Sequence, residues 1–463
     1  MTGDSPGGVT VGVDVGTTSV KALAVDREGR VVARARVPHQ ILTPRPDLLE
    51  HDARRAWRQG PRRAFGAVAA EVGGPVSGVA VASMVPSLTA VDRRGIPLLP
   101  GILYGDARGK WEWTGRGAPP EAVAGMPDTS GFLRWAVGEA PEAAGFWPCQ
   151  AVATYALSGV PAIDTATCTA YGSLYDHRGW REKSLAALNV DVSQMPLVVP
   201  MAEAAGTLPG GDTVVAGGTI DALCDQLVSD ATEPGDVLAI FGATLVIWVV
   251  TDEWLEVPGL VTVPHTVAGR VLVGGPSNAG ALFVDWARSL LRGVARPGPG
   301  VPAGDGRQGD PTRVPVWLPY LRGERTPFND PMLRASVHGL DITQGPVAIE
   351  RGAYEASGFV IRRMLERTGV PGRRVVASGG GTQVEAWMAG VADATGLPVD
   401  AVAVPEGAAY GAAFVARLAA GLEPSMDESR RWARTGRRVA PDPVWAEAAS
   451  ARFRRFEELG PGT

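Results

Sequence analysis

The stretch VGVDVGTTSVKALAVDREGRVV, residues 11–32, constrains the fold more than any other part of the chain. β-forming runs over Val9–Val15, Val20–Asp26 and Arg30–Val37 are separated by only a few residues, and Gly29 marks the second turn. Such spacing builds antiparallel hairpins. A strand that leads into a strand excludes the P-loop and the GxGxxG turn, both of which open a helix. The first turn nevertheless carries phosphate chemistry in Asp14, Gly16, Thr17, Thr18, Ser19 and Lys21. Gly16 lets backbone approach a ligand, successive amides form an anion-binding concavity, and the three hydroxyls add donors. Lys21 points the same way as Ser19, since strand side chains repeat every two residues. It either binds phosphate or pairs with a surface carboxylate. Asp14 would repel a phosphate unless a cation lies between them, which suits hydrated Mg2+. An ordinary polar hairpin turn is the competing reading.

The remaining chain alternates strands, turns and helices. Helices are expected near Asp52–Val72, interrupted at Gly60-Pro61, and over Gly131–Ala140, with strands at Val76–Ala82 and Leu88–Asp92. The pattern restarts near Val214. A second apolar hairpin spans Gly235–Val250 around Gly242, Ala243 and Thr244. Helices follow at Asn278–Leu291 and Gln344–Thr368, the first trailed by a Pro/Gly-rich loop over Ala295–Arg313. A strand at Arg374–Ser378 then meets Gly379, Gly380 and Gly381, followed by a helix over Glu385–Thr395, a strand over Pro398–Val404 and a helix over Gly407–Ala420. This order predicts an α/β protein. The expected division is a flexible 1–8, a lobe over 9–228 and a second lobe over 229–463.

A net charge of −5 gives no pull toward nucleic acid or an anionic membrane. No run of 18 apolar residues occurs, so no membrane-spanning helix is expected. The first ten residues lack the basic and apolar regions of a secretory signal. Cys149, Cys168 and Cys224 are odd in number and widely spaced, which argues against disulfides or a zinc cluster and for thiols in a reducing cytoplasm.

These motifs, in this order, resemble the FGGY carbohydrate kinases of the actin/Hsp70/sugar-kinase superfamily, and the resemblance runs from about Val9 to Phe456. The opening DxGTTSxK matches. GGTIDAL (Gly217–Leu223) resembles the family's GxxD element. YLRGERTPFNDPMLRASVHGLD (Tyr320–Asp341) resembles its YxxGERxPxxDPxxRGxxxGL segment and is the most specific match. The resemblance implies two actin-like (ribonuclease H-like) lobes with ATP and a sugar in the cleft between them. It implies Asp221 as catalytic base and Asp14, with Asp221, around Mg2+. Thr17, Thr18, Ser19 and the Gly242–Thr244 tip would hold phosphate. Gly379, Gly380, Gly381, Thr382 and Gln383 would line the nucleoside. Read from the residues alone, Asp221 is an N-cap for the helix behind it, and both roles can coexist. Asp225 is expected at a solvated or packing edge.

The substrate side departs from the family pattern. Ser83, Met84, Val85 and Pro86 occupy the usual SxxMH stretch, with Pro86 in place of histidine. Proline has neither a side-chain donor nor an N–H, so any contact made by that histidine must be absent or replaced. Tyr104, Asp106 and Arg108 stand at the WxDxR element. Asp106 either accepts from sugar hydroxyls or forms a surface ion pair with Arg108. Trp57, Trp111 and Trp113 are either a sugar-stacking wall or core. Ala243 removes a hydroxyl from the second phosphate turn. The leading expectation is an ATP-dependent kinase of a sugar or polyol such as a ketopentose, xylulose being favoured, and a homodimer is common in similar proteins. The alternative is a degenerate kinase serving as a nucleotide- or sugar-binding regulatory module.

Overall fold

A computed structural model describes residues 8–45, 48–109, 129–176, 178–291 and 306–461. Two compact units emerge. One comprises the chain to Val228 together with Ala408–Trp432, the other Ser229–Gly407 with Ala433 onward.

The first unit is built on a seven-stranded sheet. Its spine is β1 (Val9–Val15), β2 (Ser19–Val25), β3 (Val31–Pro38) and β4 (Val76–Ser83). β1 pairs antiparallel with β2 and parallel with β4. Every residue of β1 is buried, which explains its near-continuous apolar run. β5 (Ala204–Thr207), β6 (Val214–Ala216) and β7 (Thr219–Ile220) extend the sheet on the other side of β4. Gly60-Pro61 does not interrupt its helix. A π-helical turn over Arg54–Gln59 runs straight into the α-helix Gly60–Val72, and Pro61 sits in that helix's first turn, where a missing N–H costs little.

The helix Gly407–Ala419 packs on this first sheet, so a single cut after residue 228 does not describe the chain. The reason is glycine. A Cβ on Gly12 would stand 1.8 Å from the Ala409 carbonyl oxygen, and one on Gly78 2.8 Å from that of Ala416. Backbone therefore meets backbone, and Thr10 Oγ1 donates to the Ala413 carbonyl at 2.8 Å.

The second unit repeats the plan. Its seven-stranded sheet contains β8 (Asp236–Phe241), β9 (Leu245–Thr251), β10 (Val261–Pro264), β11 (Val271–Ser277), β12 (Arg374–Ser378), β13 (Val399–Val402) and β14 (Thr435–Val439). β8 is antiparallel to β9 and parallel to β12, as β1 is to β2 and β4. The helices Pro346–Thr368 and Glu385–Thr395 cover a core that includes Phe241, Phe359 and Trp387.

Candidate active site

The β1–β2 turn closes with the Gly16 N–H on the Ser19 carbonyl at 3.2 Å. Its other carbonyls face back into the protein. His39 Nε2 meets the Gly16 carbonyl at 3.0 Å and His51 Nε2 the Thr17 carbonyl at 2.8 Å. The His39 N–H donates to the Thr18 carbonyl at 2.9 Å. In a planar peptide the C=O of one residue and the N–H of the next point opposite ways. Pinning the Gly16 and Thr17 carbonyls inward therefore turns the Thr17 and Thr18 amides outward. Those two amides have no protein acceptor among the described residues, and together they make an anion nest. His51 is fixed in turn by Trp57, whose Nε1 donates to His51 Nδ1 at 3.0 Å. Burial first, and the neighbouring His39 second, push the His51 pKa down to about 4, so it is a neutral donor. Burial lowers His39 too. Thr17 Oγ1 bonds Tyr104 Oη at 2.9 Å, and Ser19 Oγ accepts from Arg36 Nε at 3.1 Å.

Two carboxylates belong to elements that flank β4. Asp14 on β1 and Thr219 on β7 flank the same residue of β4, Ala82. At about 4.8 Å per strand, Asp14 and Thr219 lie about 10 Å apart, and Asp221 follows two residues on. Gly218 (φ 71°) makes the approach to β4 possible, since a Cβ there would fall 2.3 Å from the Val81 carbonyl oxygen. The charges of Asp14 and Asp221 add to burial in raising the pKa of both Cys149 and Cys224. Both acids therefore act on one corner of the unit. Asp221 occupies the first turn of the helix Asp221–Leu227, after the capping position, and its Oδ1 accepts the Ala222 N–H at 2.7 Å. Asp225 is buried rather than at a solvated edge.

Asp14 is 5% exposed and Lys21 Nζ reaches its Oδ2 at 3.1 Å. The lysine thus pairs with a buried acid, the residue directly opposite it in the hairpin. Both Asp14 oxygens face the turn, 3.5 and 3.7 Å from where a Gly16 Cβ would stand. No group of three or more potential metal ligands occurs among the described residues. A cation there would have Asp14 as a ligand and draw the rest from water and phosphate, as Mg2+ does.

On the acceptor side, Ser83, Met84 and Pro86 are buried and Val85 is partly exposed. Ser83 Oγ has no oxygen or nitrogen partner among the described residues, and the Cys149 thiol is the polar neighbour it has. Ser87 staples the loop, donating to the Met84 carbonyl and accepting the Cys149 N–H. Asp106 and Arg108 do not form a surface pair. They are 3% and 5% exposed. Asp106 Oδ1 accepts the Arg108 N–H and Nε, and Oδ2 accepts the Leu49 N–H and Arg108 Nη2. Arg108 also bonds Glu50 at 2.8 Å. With both oxygens doubly engaged, this cluster binds segments of the protein together and offers a sugar little. Trp57 is core, fully buried behind His51. Trp111 and Trp113 lie outside the described residues.

The second unit presents a matching tip. The Ala281 N–H donates to the Gly242 carbonyl at 2.9 Å and the Leu282 N–H to the Ala243 carbonyl at 3.0 Å. These are first-turn amides of the helix Ala281–Leu290, which lack intrahelical partners. The same peptide geometry turns the Ala243 and Thr244 amides the other way, and neither has a protein acceptor among the described residues. The glycine turn divides its work. Cβ atoms on Gly379 and Gly381 would lie 2.7 Å from Phe241 atoms, so those two glycines serve packing. Gly380 has open space around it and Gln383 is exposed, whereas Thr382 is buried and bonds the Gly379 carbonyl.

Inspection of the sequence missed His39 and His51. Their only sequence signal is that they make two of five histidines in the chain and fall within 35 residues of the turn they hold.

The crystal structure of xylulose kinase from Rhodospirillum rubrum superposes with a TM-score of 0.77 at 26% identity, covering 97% of this chain and 98% of that one. A xylulose kinase structure from Brucella ovis gives 0.80 at 24% identity. The two units are accordingly actin-like lobes. Xylulose kinase from Escherichia coli is 28% identical over 453 residues, 90% of this chain and 91% of that protein. A glycerol kinase from Allorhizobium ampelinum is 26% identical over 475 residues, 93% and 94% of the two chains. The model of the FGGY carbohydrate kinase N-terminal domain matches residues 9–114, and that of the C-terminal domain residues 237–420. The chain belongs to the FGGY family of carbohydrate kinases and is a phosphotransferase, of a family that uses ATP. No helix among the described residues is long and apolar enough to cross a membrane.

Proposed function

We propose that the chain transfers the terminal phosphate of ATP to a hydroxyl of a small sugar or polyol, with xylulose the favoured acceptor. The observation that carries this reading is the paired tips, Gly16–Ser19 and Gly242–Thr244. Each has its carbonyls tied back and two amides turned out; Asp14 stands beside the first, and Asp221 follows the strand that shares Ala82 of β4 with Asp14. Asp221 accepts the proton of the attacking hydroxyl, a step that contributes about 10²–10⁴-fold in enzymes generally. The Thr17, Thr18, Ala243 and Thr244 amides hold phosphate oxygens as charge develops on them. The open backbone at Gly380, with Gln383 beside it, receives the nucleoside. Mg2+ on Asp14 and Asp221 would neutralise phosphate charge. Xylulose is favoured because two relatives bearing that name are 28% and 29% identical, against 26% for two glycerol kinases of similar coverage.

The test is ADP release with ATP, Mg2+ and a panel of ketoses, pentitols and glycerol. Acceptor-stimulated release, greatest with xylulose and yielding a phosphorylated product by mass spectrometry, is the expected result. Bound ATP with no stimulation by any acceptor would instead favour the degenerate regulatory module, the reading to which Pro86 and Ala243 lean.

A further inference from the structure

The Gly323–Pro331 stretch, GERTPFNDP, has no part in the chemistry above, yet its Glu324 is a carboxylate only 3% exposed. Burying a charge is costly unless its oxygens are satisfied, and an apolar residue would usually serve stability as well or better. Glu324 Oε2 accepts Ser277 Oγ at 2.8 Å, and Oε1 accepts the N–H groups of Asn278 at 2.9 Å and Arg325 at 2.7 Å. Asn278 Nδ2 answers with a bond to the Gly323 carbonyl at 3.0 Å, and the Thr326 N–H donates to the Pro276 carbonyl at 3.0 Å. Ser277 Oγ also accepts the Ala279 N–H at 3.1 Å. The end of β11 is thus tied to the GER turn by bonds in both directions.

The chain has no slack between that point and the second tip. A Cβ on Gly280 would stand 2.3 to 2.6 Å from Thr244 backbone atoms, so the segment lies directly against the tip. Ser357 Oγ anchors the Ala279 carbonyl at 2.7 Å. The next two residues, Ala281 and Leu282, supply the amides that hold the Gly242 and Ala243 carbonyls.

We propose that Glu324 is a positioning residue for the nucleotide: by fixing Ser277 and Asn278 it sets where the helix Ala281–Leu290 begins, and that start orients the Gly242–Thr244 amides toward phosphate. The inference rests on the reading that this tip holds phosphate. Glu324 itself touches no substrate.

Three variants test it in the full-length protein: Glu324→Gln, Ser277→Ala and Ala243→Pro, the last removing one outward N–H that has no protein acceptor among the described residues. The measurements are the ADP dissociation constant by calorimetry, separate KM values for ATP and acceptor, and Tm. Glu324→Gln and Ser277→Ala are each expected to weaken ADP binding and raise the ATP KM about tenfold, the share of one charge-assisted bond, while the acceptor KM stays within about twofold. Because both act on the same Ser277–Glu324 bond, one removing its charge and the other its hydroxyl, the double variant should be no weaker than the worse single one. A lowered Tm with unchanged ADP affinity and ATP KM in both would overturn the positioning role. Weakened ADP binding in Ala243→Pro, with none in the other two, overturns the latch alone. No weakening in Ala243→Pro overturns the phosphate reading beneath it.

Discussion

Replacing His51 with glutamine should make the protein less sensitive to acid. His51 is fully buried, donates to the Thr17 carbonyl and accepts from Trp57. Glutamine can keep both bonds, Nε2 donating and Oε1 accepting, but it cannot take up a proton. The folded His51 titrates at about 4, against about 6.5 in an unfolded chain. The unfolded state therefore binds a proton that the folded state refuses. Stability from this group is complete above pH 6.5 and drains away as pH falls toward 4. A gap of about 2.5 units corresponds to about 3 kcal/mol in full, of which about 2 kcal/mol is lost by pH 5. Urea unfolding of both proteins at pH 8, 7, 6 and 5 reads this directly. The wild type should lose about 2 kcal/mol more than the variant across that range. His39, whose pKa is also lowered by burial, leaves a residual slope in both. Equal losses in the two proteins would show that His51 is not held neutral, and the bond by which its Nδ1 accepts from Trp57 would be wrong.

Asp221→Asn should lower kcat at least about 10²-fold and leave the ATP dissociation constant within a few fold; retention of a tenth of activity in a steady-state assay would remove Asp221 as base. Asp106→Ala strands Arg108 inside the protein with Glu50 as its remaining acid. It should cost about 3–5 kcal/mol of stability by urea titration without changing the acceptor KM beyond about twofold, and a large KM change at unaltered stability would return Asp106 to the sugar. Gly12→Ala places a methyl 1.8 Å from the Ala409 carbonyl oxygen. A drop in unfolding free energy of about 1–3 kcal/mol or more is expected, and an unchanged Tm would disprove that packing of the helix Gly407–Ala419.

What the sequence disclosed and what it hid follow from separation along the chain. The β1–β2 hairpin, β12 and the helix Glu385–Thr395 were legible because each is written in local periodicity and a local turn. The helix start at Asp221 was legible because glycines precede it within a few residues. The burial of Asp106 was not, since it depends on Leu49, 57 residues away. The histidines lie 23 and 34 residues from the carbonyls they hold. Glu324 stood out as part of a motif, but Ser277 is 47 residues off and gives no hint of the pairing. Chain order likewise cannot say which sheet receives the helix Gly407–Ala419. The available signal was steric: glycines at Gly12, Gly78 and Gly411 sit where backbones touch, Gly411 against the Cys224 carbonyl.

The two tips reach one electrostatic result by different donors, and the difference has consequences. A hairpin tip exposes carbonyls as readily as amides, and carbonyls repel phosphate. Something must hold each peptide plane over, and local sequence alone does not. At Gly242 and Ala243 the donors are orphan amides of a helix, groups with no proton to gain or lose in the accessible pH range. At Gly16 and Thr17 they are imidazoles, groups that can gain a proton and whose pKa burial lowers. The second tip therefore depends on where a helix begins, which is why a carboxylate as remote as Glu324 can matter to it. The first depends on water being kept from His51, and Trp57 and the surrounding core supply that exclusion. Any change that wets His51 should disturb the first nest while leaving the second intact.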